Sequence, residues 1–178
     1  MKKINRRQFV MTTAAAGLAA ATPASAAQSR PTPSGGQAPM AMTPKSVRPV
    51  VVASANGHRF KNGGDLTCVE HAFSRIVKGE DVLDALIGGV NLVELDPLDD
   101  SVGYGGLPNA NGIVQLDSCC MHGPKKRAGG VGALEGVRTP SLVARAVMDQ
   151  TDHHLIVGRG AQEFARRLGF TIADDLNT

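Results

Sequence analysis

The chain has 178 residues, with 19 Lys plus Arg against 16 Asp plus Glu, three Cys, one Tyr and no Trp. That length allows one ordinary domain with extensions. The near absence of aromatics and of any basic stripe argues against a nucleic-acid partner, and an odd cysteine count excludes a complete disulfide framework.

Residues 1–26 begin with Lys2, Lys3, Arg6 and Arg7 and no acid, continue through an Ala-rich apolar run from Phe9 to Ala21, and close on Ala24-Ser25-Ala26. Charged, apolar and small-residue zones in that order predict a secretory signal peptide cleaved after Ala26. Arg6-Arg7 followed by Phe9 points to the twin-arginine route, with an ordinary Sec signal as the alternative. The expected location is periplasmic or secreted. The run is too short and too interrupted by Thr and Gly for a membrane span, so no membrane anchor is expected once it is removed. Taking its four cations from the 19 leaves 15 against 16 acids, a formal charge of about −1 for the mature part.

Residues 27–47, rich in Pro, Ser, Gly and Gln, read as a disordered linker, because they bury too little apolar surface to offset ordering entropy. The folded part is expected over 48–178. Pro49 to Ala53 carries three consecutive valines and predicts a buried strand. Thr67 and Glu70 have capping-box spacing for a helix reaching Lys78, with Gly79 as its stop. A second helix is predicted over 81–94, with Val82, Leu83, Leu86, Ile87 and Val90 on one face and Gly88-Gly89 permitting close packing. A long loop over 96–112 follows. Strands are predicted over 112–118 and 128–134, a helix over 141–150, a short strand over 154–157, and a last helix over 160–168 ended by Gly169. Interspersed helices and strands place the fold in the α/β or α+β class.

Three clusters invite chemistry. Ser101 to Asn109 places three glycines within four positions, which lets a backbone approach a ligand or hold positive φ. It lacks the Gly-Lys-Ser/Thr of a phosphate-binding loop, so a structural turn is the simpler reading. Cys119, Cys120 and His122, with His153 and His154, suggest zinc, but adjacent cysteines on a strand point to opposite faces and do not make a tetrahedral pair. No metal is expected there. Ser101, His122 and Asp117 make a triad only on paper, with no nucleophile elbow to support it. A disulfide from Cys68 to Cys119 or Cys120 is left open by the sequence.

Beyond this point several ordered blocks carry a resemblance. Ser101-Val102-Gly103-Tyr104-Gly105-Gly106-Leu107-Pro108-Asn109, then Gly112 to Asp117 and Met121 with Gly123, are similar to the α-subunit of glycosylasparaginases. So are Arg138 to Met148, Thr151 to Gly158, Gly160-Ala161 with Phe164, and earlier Phe60-Lys61-Asn62 and Gly79 with Asp84-Ala85. The match runs from about Pro49 to Thr178. Gly-Tyr-Gly-Gly-x-Pro favours that branch over the related isoaspartyl peptidases and plant-type asparaginases.

The resemblance implies an incomplete α-subunit domain, the N-terminal half of an αββα sandwich of the N-terminal-nucleophile hydrolases. In that family a precursor cuts itself before a threonine, whose hydroxyl then attacks the side-chain amide of an asparagine derivative, with its own α-amine as base. No metal or organic cofactor is implied. The implied partners are a β-subunit from the same precursor, a small-molecule or glycopeptide asparagine derivative, and a second αβ unit in a dimer. Ser101, with Asp99 nearby, matches positions that support the nucleophile's surroundings. The cleavage sequence His-Asp-Thr does not occur in this chain, and Thr178 follows Asn177. The family's Trp after the first strand is replaced within Asn56 to Phe60, and His122 stands where Asp is usual. The expectations are therefore an amidohydrolase scaffold with no catalytic residue of its own, or a truncated α-like chain that only pairs.

Overall fold

The computed structural model of the chain describes residues 48–178. The predicted signal peptide, with Arg6, Arg7, Ala24 and Ala26, and the predicted linker over 27–47 lie outside the described residues.

After a short helical turn at Ala55–His58, the order is α1 (Cys68–Val77), α2 (Val82–Glu94), β1 (Leu116–His122), β2 (Arg127–Leu134), α3 (Pro140–Gln150), β3 (Ile156–Val157) and α4 (Gly158–Arg167). The helix signals act locally, as expected. Thr67 and Glu70 form a reciprocal capping box at the start of α1, and the carboxylate of Asp81 accepts from the N–H groups of Leu83 and Asp84 at the start of α2. Gly79 and Gly169 stop their helices at φ +87° and +86°. Gly89 lies against α1, where a Cβ would come within 2.6 Å of the Cys68 carbonyl oxygen.

The strands depart further from expectation. Pro49 to Ala53 is not a strand: it pairs with nothing among the described residues, and Val50 and Val52 are exposed. A valine run supplies β propensity, but a ladder needs a neighbour. The strand expected over 112–118 begins only at Leu116. Asn109 displaces it: its side-chain oxygen accepts from the N–H groups of Asn111 and Ile113, folding a tight turn that leaves Val114 in an isolated bridge to Pro108.

The sheet has order β1-β2-β3, antiparallel then parallel, and is therefore mixed. Helices α3 and α4 pack on one face of it. Val131, Leu134, Val143, Ala144, Val147, Ala161 and Ala165 form the main core there, joined by Cys120 and Ile156. Met148 continues this layer to Leu83 and Ile87 of α2. Close approach of α3 depends on Gly129, whose missing Cβ would stand 2.4 Å from the Met148 nitrogen and the Ala144 oxygen. The opposite face carries Cys119, Met121, Leu155 and Val157, all exposed. The architecture is α/β, with helices on one face of a small mixed sheet.

Candidate functional site: the glycine-rich loop

The loop after α2 is built from carboxylates that accept backbone and side-chain donors. Asp96 is buried; its Oδ2 accepts from Asn62 N–H at 2.7 Å and its Oδ1 from Leu98 N–H at 3.0 Å. Asp99, 2% exposed, accepts the Ser101 hydroxyl at 2.9 Å on each carboxylate oxygen and Val102 N–H at 3.1 Å. Ser101 itself is exposed. Its Oγ also accepts from Asn56 Nδ2 at 3.1 Å, across 45 residues of sequence. The Asn56 amide is oriented by Gly57, whose N–H donates to Oδ1 at 2.9 Å. The Ser101 proton is thus committed to Asp99, and its oxygen, held on two sides, keeps a lone pair facing solvent.

The loop is held equally firmly beyond Ser101. Tyr104 N–H donates to the Glu94 carbonyl at 2.7 Å, and Gly105 N–H to the Leu176 carbonyl at 2.9 Å. Gly103, at φ +61°, lies so close that a Cβ would stand 2.1 Å from the Glu94 carbonyl oxygen, and no other residue fits there. The Tyr104 ring lies against the cluster of Val114, Leu116 and Leu176. The Arg138 guanidinium sits 4.1 Å from the Tyr104 ring centroid. Beside Arg138 opens a cavity of about 460 Å³, lined by Leu95, Val137, Phe170 and Thr171 among others.

Beneath the loop, Glu94 anchors a buried polar network. Its Oε1 accepts Ser141 N–H at 2.9 Å; its Oε2 accepts the Ser141 hydroxyl at 2.7 Å and Asn91 Nδ2 at 2.6 Å. Thr139 makes no side-chain cap for α3, so Glu94 satisfies that helix start from 47 residues away. Burial pushes the Glu94 carboxyl above the ordinary glutamate value, and the three hydrogen bonds oppose that rise without cancelling it.

Of the residues singled out in the sequence, Ser101 and Asp99 are brought together and the others are not. His122, 5% exposed, pairs through Nε2 with Asp81 Oδ2 at 2.7 Å and accepts Lys125 N–H on Nδ1 at 3.1 Å. It thereby ties the β1–β2 hairpin to the start of α2, and this contact draws the Asp81 carboxyl down. Asp117 accepts Ala133 N–H at 2.7 Å, so no triad with Ser101 forms. Cys119 and Cys120 point to opposite faces, as the strand requires, and the three cysteines are free thiols. Burial raises the thiols of Cys68 and Cys120. His154 meets the Ala128 carbonyl. Among the described residues no group of three or more His, Cys, Asp or Glu converges on a metal position.

Sequence reading missed Asn56, Glu94, Asn91, Ser141 and Arg138. Only Glu94 left a signal: it continues the Leu83–Ile87 stripe of α2, where an acid has no business unless it is bonded.

Comparison with known proteins places the chain in a family. The family model described as asparaginase matches residues 55–178. An N(4)-(beta-N-acetylglucosaminyl)-L-asparaginase of Elizabethkingia miricola is 48% identical over 99 residues, covering 56% of this chain and 29% of that protein. The enzyme of that name from Mus musculus is 37% identical over 130 residues, 73% of this chain and 35% of its own. A plant-type L-asparaginase of Pyrococcus furiosus is 41% identical over 96 residues, 54% of this chain and 31% of that one. The chain spans about a third of the length of these relatives. It belongs to the asparaginase family of N-terminal-nucleophile hydrolases.

Proposed function

We propose that this chain is the α-subunit portion of an exported amidohydrolase of the glycosylasparaginase type. The observation that carries the proposal is the Asn56–Ser101–Asp99 chain, a serine hydroxyl fixed on two sides and presented at the surface of the loop that resembles the family's site. The fully buried Asp99 makes that hydroxyl's direction a property of the fold rather than of solvent. In this reading Ser101 supports the surroundings of the nucleophile, and Asp99 and Asn56 position it.

In this reading the protein works with a β-subunit from the same precursor, released by self-cleavage before a threonine. The threonine hydroxyl adds to the side-chain carbonyl of an asparagine derivative while its α-amine takes the proton. The amide C–N bond breaks, the amine leaves protonated, and water hydrolyses the resulting ester to aspartate and free threonine. Residues 1–26 direct export through Arg6 and Arg7 to the periplasm or beyond, residues 27–47 form the linker, and residues 48–178 form the domain. The bare sheet face is the surface on which the second sheet of the sandwich packs, and it accounts for the exposed Met121, Leu155 and Val157.

The experiment is to express the whole reading frame containing this chain and assay a glycosylated asparagine, free asparagine and an isoaspartyl dipeptide for aspartate release. Two chains on a denaturing gel and release from the glycosylated substrate are expected. A protein that cuts itself yet leaves all three substrates intact would sink the enzymatic reading and leave the chain a pairing subunit.

A further inference from the structure

We infer that Arg138 is a positioning residue for the glycine-rich loop, acting on Ser101 through the Tyr104 ring. It rests on the proposed role of that loop, but its contacts and its test do not require activity. Arg138 follows the Gly136–Val137 corner between β2 and α3, and the Gly136 carbonyl accepts Ala173 N–H at 2.8 Å. Among the described residues no carboxylate lies within ion-pair distance of its guanidinium. The charge is instead laid 4.1 Å from the centroid of Tyr104, where the ring quadrupole attracts it. A planar guanidinium also covers the ring as a flat lid, which an ammonium does not. Tyr104 also packs on Val114, Leu116 and Leu176, so the residue is held by a cation and by an apolar cluster.

The clamp matters because the loop has freedom to lose. Gly103 and Gly105 flank Tyr104 with φ of +61° and +85°, and such residues reach many other conformations at little cost. Among the described residues, the backbone bonds that tie the flanks of the ring to other segments are Tyr104 N–H to Glu94 and Gly105 N–H to Leu176. Fixing the side chain removes the remaining motion three residues from Ser101. Arg138 is therefore the contact through which the β2–α3 corner acts on the Tyr104 side chain.

Tyr104 is the only tyrosine and there is no tryptophan, so near-ultraviolet dichroism in the tyrosine band reports this ring alone. In the 178-residue chain, Arg138→Ala is expected to abolish most of that signal and to speed amide exchange of Tyr104 and Gly105 about fivefold, with the α3 amides unchanged. Arg138→Lys restores part of the signal, and Arg138→Gln does not. Tyr104→Ala speeds exchange of the Gly105 amide at least as much, because it also removes the packing on Val114, Leu116 and Leu176, and the double variant adds nothing to it, because the ring through which Arg138 acts is gone. Unchanged dichroism and exchange in Arg138→Ala, equal acceleration in α3, or additive effects in the double variant would each overturn the inference. So would a native chain with no tyrosine dichroism. Should Arg138→Ala fail to fold, the Lys and Gln variants carry the comparison, and equal exchange in the two contradicts it. None of these readouts depends on whether the whole protein hydrolyses asparagine derivatives.

Discussion

On β1, Cys120 is packed with Leu83, Ile87 and Met148, while Cys119, one residue earlier, faces solvent with Met121, Leu155 and Val157. The covered face owes its density to two helices and to Gly129, which lets the α3 backbone come within van der Waals reach of the strand. The bare face carries apolar residues too, with Met121 at 74% and Leu155 at 60% exposure. Gly130 and Gly132 flatten it. An exposed antiparallel face normally alternates to polar residues; here Asp117 is the polar residue of β1 on that face, while Cys119 and Met121 are not. The difference between the faces therefore lies more in what covers them than in their composition.

The largest expected effect breaks the covered face at its closest approach. Gly129→Ala pushes a methyl group into the α3 backbone and is expected to destabilise the chain by about 3 kcal/mol, read by urea unfolding. Gly130→Ala, one residue along and on the bare side, meets nothing closer than 3.3 Å. It is expected to cost under about 1 kcal/mol, and similar losses for the two would erase the distinction. Next comes the buried network under the loop. Glu94→Ala leaves the Ser141 N–H and hydroxyl without an acceptor, while Asn91 Nδ2 keeps its bond to the Ser141 oxygen, for about 2 kcal/mol.

Glu94→Gln sharpens that prediction through pH. Because burial raises the native carboxyl above its unfolded value, Glu94 takes up a proton more readily in the native chain than in the unfolded one. Its stabilising contribution is complete below the unfolded pKa and is lost as pH rises through the native one. The wild-type chain should therefore lose stability relative to Glu94→Gln as pH rises across that interval. A difference independent of pH would show that Glu94 is not desolvated. The smallest effect belongs to the bare face: Met121→Thr is expected to change stability of the 178-residue chain by less than about 0.5 kcal/mol.

Local chemistry made the helices legible. The Thr67–Glu70 box, Asp81, Gly79 and Gly169 each act within one helical turn, so sequence alone locates them. The strands were legible only in part, because pairing is decided by distant segments: Pro49 to Ala53 has the residues of a strand and no paired strand among the described residues, and Asn109 moved the start of β1 by its own side-chain bonds. The site divides the same way. Ser101 and Asp99 stand two apart in a recognisable block, whereas Asn56 and Arg138 reach the loop across 45 and 34 positions, by contacts no spacing rule encodes.

Alkylation of the thiols in the 178-residue chain, read by peptide mass spectrometry, tests the two-faced sheet most directly. Cys119 is expected to react first, with Cys120 and Cys68 slower because burial both shields and raises their thiols. Cys120 reacting as fast as its neighbour Cys119 would contradict the packed face, and with it the half-sandwich on which the proposed function stands.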